Sequence, residues 1–373
     1  MTETSDLWRI DTENAKESLT AAQIDGELWA DVSPDSSMVA YQSIKNLRQG
    51  SNLLNGSVMM QPISKDARPM RLAEDGFLPQ WSPDGKTVAF LKLANLKLEI
   101  WRVAAAGDQL KRISAEGITG LIYSLSPYLK SQVKHLSWSP DNSALAFPSE
   151  IEGISNIWIV SADGSSNQQK LTANEDANQR LYCPIWKSDA KRIAFASQTK
   201  KRDSEGNTKY SIWFYDTETN AQQKLLETSE TVRLLGWNKK EDELVFAVKR
   251  NDPSFTLTPP ETFVHAVSVK TGEQRRLTIL KDAYFNNIYL SPDRTAIAFT
   301  SRFGGQDDVW ISSLEGAAPR KLTGNNDSRL YFSSLAWSPN GKSIYFGKQT
   351  RFTLLSMLIN QKTKENKNAD SNQ

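Results

Sequence analysis

The chain has 373 residues, with 45 Lys and Arg against 43 Asp and Glu, so its formal net charge is +2 at pH 7. Its 39% hydrophobic and 24% charged residues are typical of a globular protein and exclude a disordered or collagen-like chain. So small a net charge gives no signature of direct nucleic-acid binding, which needs a dominant basic field. The sequence also contains no apolar run approaching the ~20 residues of a membrane-spanning helix.

The first residues lack the basic and apolar regions of a signal peptide. As written, the sequence therefore predicts a cytoplasmic protein, or a periplasmic one if it is a fragment of an exported or membrane-anchored protein. The chain contains a single cysteine, Cys183, and two histidines, His135 and His265. This excludes an internal disulfide and any metal site built on several thiolates.

Seven segments share one pattern: an apolar or aromatic residue, a turn resembling Ser-Pro-Asp-Gly, and a short strand that ends in an aromatic residue. They begin at Val32, Trp81, Trp138, Trp186, Trp237, Leu290 and Trp337. A period close to fifty residues indicates a repeat protein.

Each unit continues with an Ile-Trp element, as at 157–158, and a Leu-Thr element, as at 171–172. The alternation of apolar and polar residues, interrupted by Pro, Asp and Gly, predicts four strands per unit. The innermost should end at the Trp, the second at the aromatic residue, and the last two should carry Ile-Trp and Leu-Thr. Such thin units cannot bury both faces alone, so the sequence predicts an all-β, seven-bladed β-propeller with four antiparallel strands per blade.

The ends of the chain predict how the ring closes. Residues 6–10 and 18–20 match the third and fourth strands of a blade, and 337–346 match the first two. Pairing them would leave no open edge, although the strand-like segment 353–359 competes for the third place. We expect the propeller to span 6–359, with disordered ends at 1–5 and 360–373.

The blocks Ser-Pro-Asp-Gly-Lys at 82–86, Ile-Ala-Phe at 297–299, Ile-Trp and Leu-Thr resemble the repeats of TolB-type, WD40-like (PD40) propellers. Similar repeats form the gating propeller of prolyl oligopeptidases and sensor modules of bacterial regulators. The units at Trp186 and Trp237 depart from the pattern because their turns lack the Pro. TolB is a periplasmic scaffold, so the resemblance implies a non-catalytic module that binds a protein or peptide, as a scaffold or sensory domain.

Motifs for catalysis are absent: the sequence has no Gly-x-Ser-x-Gly, phosphate-binding loop, Gly-x-Gly-x-x-Gly or His-Glu-x-x-His. One alternative is a hydrolase or lyase that works in the pore with carboxylates and calcium. Another is the propeller part of a prolyl oligopeptidase-like peptidase, or of a regulator that lacks its effector domain.

The residues most easily mistaken for catalytic groups have structural interpretations. His135 and Cys183 lie three residues before the Trp of their unit, where other units have Trp29, Leu78 or Leu234, so we expect packed core groups. His265 falls in a predicted third strand and is interpreted in the same way. Turn formation explains the recurring acids, which are Asp35, Asp84, Asp141, Asp189 and Asp293.

Two similar loops, 171–182 and 322–331, connect an outermost strand to the next innermost one. Crossovers of this kind run over one face of a propeller to the pore mouth. The candidate pore-rim or ligand residues are Asn174, Asp176, Arg180, Asn325, Asp327 and Arg329. Arg suits a carboxylate ligand, and the Asp and Asn oxygens suit calcium. The alternative, which we favour, is that Asn and Asp form the turn and Arg pairs with a neighbouring Asp.

The longest insertion, 117–129, is rich in apolar and aromatic residues. Its candidate docking residues for a partner are Ile122, Tyr123 and Tyr128, because exposed aromatic side chains dominate protein interfaces. The alternative is that the insertion folds over the pore.

Overall fold

The computed structural model describes residues 5–21, 26–44, 56–64, 67–95, 97–114, 136–249 and 261–350. These residues form seven four-stranded antiparallel sheets arranged as the blades of a ring, so the protein is a seven-bladed β-propeller. Within these ranges, no helix is long and apolar enough to cross a membrane.

The chain begins with β1 (Ser5–Asp11) and β2 (Glu17–Ala21), which belong to the last blade. The following strands form blades 1 to 3. Blade 1 contains β3 (Gly26–Val32), β4 (Met38–Ile44), β5 (Ser57–Pro62) and β6 (Met70–Ala73). Blade 2 contains β7 (Gly76–Trp81), β8 (Thr87–Ala94), β9 (Lys97–Ala104) and β10 (Lys111–Arg112). Blade 3 contains β11 (Ser137–Trp138), β12 (Ala144–Ile151), β13 (Ile154–Ser161) and β14 (Gln169–Lys170).

Blades 4 to 7 repeat this order, and blade 7 is completed by β1 and β2. Blade 4 contains β15 (Gln179–Trp186), β16 (Arg192–Thr199), β17 (Tyr210–Asp216) and β18 (Gln222–Thr228), and blade 5 contains β19 (Thr231–Trp237), β20 (Glu243–Lys249), β21 (Thr262–Ser268) and β22 (Gln274–Leu280). Blade 6 contains β23 (Ala283–Leu290), β24 (Ala296–Ser301), β25 (Asp308–Ser313) and β26 (Arg320–Lys321). Blade 7 begins with β27 (Leu330–Trp337) and β28 (Ser343–Thr350).

The Ser-Pro-Asp-Gly turn joins the first two strands of a blade. In blade 2 the Ser82 hydroxyl donates to Asp84 Oδ1 over 2.7 Å, and the Lys86 amide donates to the same oxygen over 3.1 Å. Gly85 closes the turn with a φ of +71°, which suits a residue without a Cβ. The same Ser-to-Asp bond recurs at Asp35, Asp141 and Asp293, while Asp189 accepts a bond from the Lys191 amide. The interpretation of these acids as turn residues is confirmed.

The strand pattern agrees with the sequence at the innermost position, because all seven first strands end at the predicted residue. The predicted end of the second strand was wrong. β8 continues past Phe90 to Ala94, and β12 continues past Phe147 to Ile151, since pairing with the third strand runs on to Ala94↔Lys97 and Ile151↔Ile154.

The core lies within and between the blades. The aromatic residue of the second strand is buried in every blade, as Tyr41, Phe90, Phe147, Phe195, Phe246, Phe299 and Phe346. One apolar cluster joins Trp29, Phe77 and Phe147 from three successive blades. Two indoles also bond to the preceding blade, because Trp186 Nε1 donates to Ser137 O over 3.1 Å and Trp337 Nε1 donates to Tyr289 O over 3.2 Å. The blades therefore pack radially through their recurring aromatic residues, as predicted.

The two ends of the chain close the ring. β1 pairs with β28 over seven residues, from Ser5↔Gln349 to Asp11↔Ser343. The predicted closure is therefore confirmed. The competing segment 353–359 and the predicted disordered ends lie outside the described residues, except that Ser5 begins β1.

Strand direction divides the connections between two faces of the ring. One face, here called the crossover face, carries the links between blades and between second and third strands, including 171–178, 200–209, 302–307 and 322–329. The opposite face, here called the turn face, carries the remaining links, including 105–110, 187–191 and 238–242. Contacts agree with this division, since Lys200 N donates to Asn178 O on the crossover face and Ala105 N donates to Lys86 O on the turn face.

Candidate binding surface

The innermost strands contain a recurring bulge three residues before their last residue. Trp29, Leu78, Cys183 and Ser334 have left-handed φ values of 50°, 52°, 51° and 57°, and each lies at an interruption of the pairing register. Non-glycine residues adopt this conformation at a cost, so tertiary packing must hold it. All four are buried. His135, predicted for the same slot, lies outside the described residues.

The thiol and imidazole within the described ranges serve packing. Burial raises the pKa of Cys183 to about 11, against the opposing effect of the Arg233 charge, so little thiolate forms at neutral pH. His265 lies in blade 5 with its ring 5.6 Å from Phe246 and 6.4 Å from Phe263. Burial lowers the pKa of His265, Arg276 adds to this effect, and Glu230 opposes it. These environments agree with the structural interpretation of both side chains.

A hydrogen-bond network anchors the crossover 322–329. Asp308 in β25 is almost fully buried, and its Oδ1 accepts bonds from the Thr323 hydroxyl at 2.7 Å and the Asn325 amide at 2.9 Å. Its other oxygen lies 2.9 Å from Lys321 Nζ. Thr323 Oγ1 in turn accepts the Val309 amide over 2.9 Å. The crossover is therefore fixed to the third strand of the blade that it leaves.

The crossover 171–178 repeats this network with a neutral acceptor. Asn156 in β13 takes the place of Asp308, and its Oδ1 accepts the Thr172 hydroxyl and the Asn174 amide, each over 2.8 Å. Thr172 Oγ1 accepts the Ile157 amide over 3.0 Å. The Leu-Thr element thus uses its hydroxyl to fix the start of the crossover to the third strand.

The six candidate rim residues lie in two separate places, at the junctions of blades 3 and 4 and of blades 6 and 7. Asn174 and Asn325 donate their side-chain amides to the backbone oxygens of Ser155 and Asp307. Asp176 accepts the Asn178 amide over 2.8 Å. These bonds agree with the turn interpretation for Asn and Asp.

The two arginines of the set differ. Arg329 NH2 lies 2.7 Å from Asp327 Oδ2, and this hydrogen-bonded pair lowers the pKa of Asp327 to about 2. Arg180, by contrast, has a buried Nε without a hydrogen-bond partner among the described residues. A ligand-binding role for the six residues stays a prediction, and the structure does not bring the two loops together.

In the described part of the chain, no group of three or more His, Cys, Asp or Glu side chains is placed to hold a metal ion. Both oxygens of Asp308 are already occupied by protein groups. Calcium therefore stays a prediction, and the candidate docking residues Ile122, Tyr123 and Tyr128 lie outside the described residues.

Two exposed features of the crossover face were not singled out from the sequence. The β16–β17 hairpin at 200–209 carries the exposed cations Lys201, Arg202 and Lys209. The β24–β25 connection carries Phe303, which is 46% exposed. In the sequence, Trp186 and Trp213 are 27 residues apart, against 20 for Trp81 and Trp101, and this longer spacing marks the hairpin as an insertion. Nothing in the sequence marks Phe303 as an exposed aromatic residue.

The sequence matches no protein-family model and no curated protein. Solved structures do match. A protein described as TolB from Agrobacterium tumefaciens is 14% identical and aligns over 94% of this chain and 100% of its own, with a TM-score of 0.52. The chain therefore shares the TolB propeller fold.

Other proteins share this propeller fold. Oligogalacturonate lyase from Vibrio parahaemolyticus is 10% identical, with a TM-score of 0.64 and coverage of 92% of this chain and 96% of that one. The propeller domain of the Trilobed protease from Pyrococcus furiosus is 13% identical, with a TM-score of 0.56 and coverage of 84% and 88%. That domain is described as an open velcro propeller, whereas β1 and β28 close the ring here. At identities this low, structural similarity shows only that the fold is shared. The function has to be argued from the residues of the site.

Proposed function

We propose that this protein is a non-catalytic binding module for a protein or peptide, with the crossover face as its binding surface. The observation that carries the proposal is Phe303, a large aromatic side chain that is 46% exposed on that face. Aromatic and Arg side chains are enriched in protein interfaces and supply much of their binding energy. Arg302 precedes Phe303 and is exposed beside it.

The surroundings of Phe303 hold its ring in place before a partner arrives. The ring packs edge-on against Trp310 with the centroids 5.9 Å apart, and Lys281 Nζ lies 5.5 Å from the centroid of Phe303. The Phe303 amide donates to the Ser301 hydroxyl over 3.0 Å. A side chain already ordered in the free protein loses less entropy on binding, so this exposed ring is suited to anchor a partner.

The competing proposal is a pore-sited hydrolase or lyase. The described residues on which such chemistry would draw are engaged elsewhere. Cys183 is buried, the half-buried His265 packs against Phe246, and the turn carboxylates accept bonds from neighbouring hydroxyl and amide groups. These roles favour binding over catalysis.

The proposal is tested by selecting peptides from a displayed random library against the intact protein. Binding of the selected peptides is then measured for the wild type, for Phe303→Ala and for Leu110→Ala. Leu110 is a matched control because it is 47% exposed but lies on the turn face. We expect Phe303→Ala to weaken binding by about tenfold or more, a loss typical of an interface anchor, and Leu110→Ala to leave it unchanged.

Two results would contradict the proposal. One is that no peptide is selected, or that all selected peptides bind the two variants as they bind the wild type. The other is that the protein cleaves a peptide or an oligosaccharide in a product assay, because catalysis would place it in the competing class.

A further inference from the structure

The hairpin at 200–209 has a defined shape because Asp203, one of its two acidic residues, is used internally. Asp203 Oδ1 accepts the amides of Glu205 over 3.0 Å and of Asn207 over 2.8 Å, and the Asp203 carbonyl accepts the Gly206 amide over 3.0 Å. Gly206 adopts a φ of +82°, which favours glycine. The Asp203 carboxylate therefore organises the tip.

The base of the hairpin is attached to the preceding blade. Lys200 N donates to Asn178 O over 2.6 Å, and Lys201 N donates to Asn178 Oδ1 over 2.8 Å. The Lys200 ammonium lies 3.0 Å from Glu150 Oε2 and 2.7 Å from Gly153 O in blade 3. Lys200 is thus a structural cation that fixes the hairpin over the junction of blades 3 and 4.

Two neighbouring cations have no such partner. Lys201 and Arg202 are exposed, and neither lies within ion-pair distance of a carboxylate in the ranges that the structure describes. Lys209 is exposed as well, but its charge acts on Glu227, whose pKa it helps to lower. Arg180, whose Nε is buried without a hydrogen-bond partner among those residues, lies opposite Gln198 on the strand that leads into the hairpin.

Three arginines of the turn face are, by contrast, paired with carboxylates. There Arg192 lies 3.1 Å from Asp216, Arg275 lies 2.6 Å from Glu243, and Arg294 lies 2.6 Å from Glu241. Ion pairs of this kind leave less free positive charge for a ligand. Lys201 and Arg202 of the hairpin therefore differ from these three paired arginines.

We infer that the hairpin at 200–209 contacts an acidic segment of the protein partner, with Lys201 and Arg202 meeting its carboxylates. The inference rests on the proposed binding function and names the chemistry of the partner. Guanidinium and ammonium groups bind carboxylates through charge-assisted hydrogen bonds. The exposed Glu175, Asp176 and Glu205 interrupt the positive surface, which favours a short segment with a few carboxylates over a continuous polyphosphate chain.

The test uses the full chain and a fluorescein-labelled peptide of alternating Glu and Gly, whose binding is followed by fluorescence anisotropy. Charge reversal of the hairpin, Lys201→Glu with Arg202→Glu, is compared with Lys239→Glu and Lys240→Glu. The control pair makes the same charge change at two exposed lysines on the turn face. Both variants are first compared with the wild type by thermal unfolding, and only folded variants are used.

We expect the hairpin reversal to weaken peptide binding by about tenfold or more and the control reversal to change it less than about twofold, because like charges then meet only at the hairpin. Raising the salt from about 50 mM to about 300 mM should weaken wild-type binding, since the contact is exposed to solvent. Equal losses in both variants, or no loss in either, would overturn the inference. So would an oligothymidylate that binds as tightly as the peptide and is equally sensitive to the hairpin reversal.

The peptides selected for Phe303 separate this inference from the proposed function. If their binding needs Phe303 but neither they nor the acidic peptide respond to the hairpin reversal, the acidic-segment inference fails and the binding function stands. If no peptide binds any form of the protein, both fail.

Discussion

Trp8 in β1 lies directly opposite Phe346 in β28. Lys348, also in β28, places its ammonium 4.5 Å from the centre of the Trp8 ring. Glu17 in β2 adds an ion pair to Lys348 at 3.3 Å. Two ends of the sequence thus build one blade. Because these contacts are distant in sequence, closing the ring is costly in chain entropy and is repaid only by packing.

Weakening that blade should therefore destabilise the protein. Ile10 is fully buried and packs with Ile344 and Phe346, so Ile10→Ala should lower the free energy of unfolding by about 2–5 kcal/mol. Urea unfolding measures the loss, and Glu13→Ala at an exposed turn position is the matched control. A loss below about 1 kcal/mol would contradict the importance of this blade.

The hydrogen bonds between Asp308 and the crossover 322–329 predict different losses of stability for two substitutions of Asp308. Asp308→Asn should cost less than about 1.5 kcal/mol, because an amide oxygen can accept the same two bonds, as Asn156 does in blade 3, and the lost contact with the exposed Lys321 contributes little. Asp308→Ala should cost about 2–4 kcal/mol, since it leaves the buried Thr323 hydroxyl and the Asn325 amide without their acceptor. Urea unfolding measures both losses of stability. Equal losses for Asp308→Asn and Asp308→Ala would contradict a stabilising role for the hydrogen bonds from Thr323 and Asn325.

The only cysteine should be inert in the folded protein. Cys183 is 6% exposed and its pKa is about 11, so about 0.1% of it is thiolate at pH 8, against roughly a quarter for an ordinary thiol. Reaction with Ellman's reagent should be at least about 100-fold slower in the native protein than in urea. A rapid native reaction would place the thiol at an accessible site.

Acid stability should reflect the turn and loop carboxylates. Hydrogen bonds from Ser33 and Ser37 lower the pKa of Asp35 to about 2, and the bond from Arg329 lowers the pKa of Asp327 to about 2. A lowered folded-state pKa stabilises the fold above the unfolded value of about 3.9, and this contribution is lost as the pH falls toward 2.

The urea midpoint should therefore fall between about pH 4 and pH 2, and Asp35→Asn should fall less steeply over that interval than the wild type. A wild-type midpoint that stays constant across this interval would contradict the role of these carboxylates.

The sequence predicted the number of blades, their innermost strand ends and the closure of the ring. It did so because local chemistry repeats: the Ser82 and Asp84 turn, the buried Phe90 and the half-buried Trp101 each reflect contacts within a few residues or one strand pair. The Arg329–Asp327 pair was similarly predictable because the two residues lie two positions apart.

Contacts between residues that are distant in sequence could not be predicted from it. Asp308 binds Thr323 and Asn325 across the blade, and the sequence does not mark which acid a crossover will use. The left-handed bulge at Leu78 was missed because a non-glycine residue gives no signal for that conformation. The exposure of Phe303 depends on the shape of the finished face. These features arise only when the blades assemble.

Hydrogen–deuterium exchange on the full chain, free and bound to a selected peptide, tests most directly whether the crossover face binds. Backbone amides at 200–209 and 302–307 should exchange more slowly in the complex, while those of the turns at 187–191 and 238–242 should not change. Protection confined to the turn face, or absent from both faces in a saturated complex, would contradict the account.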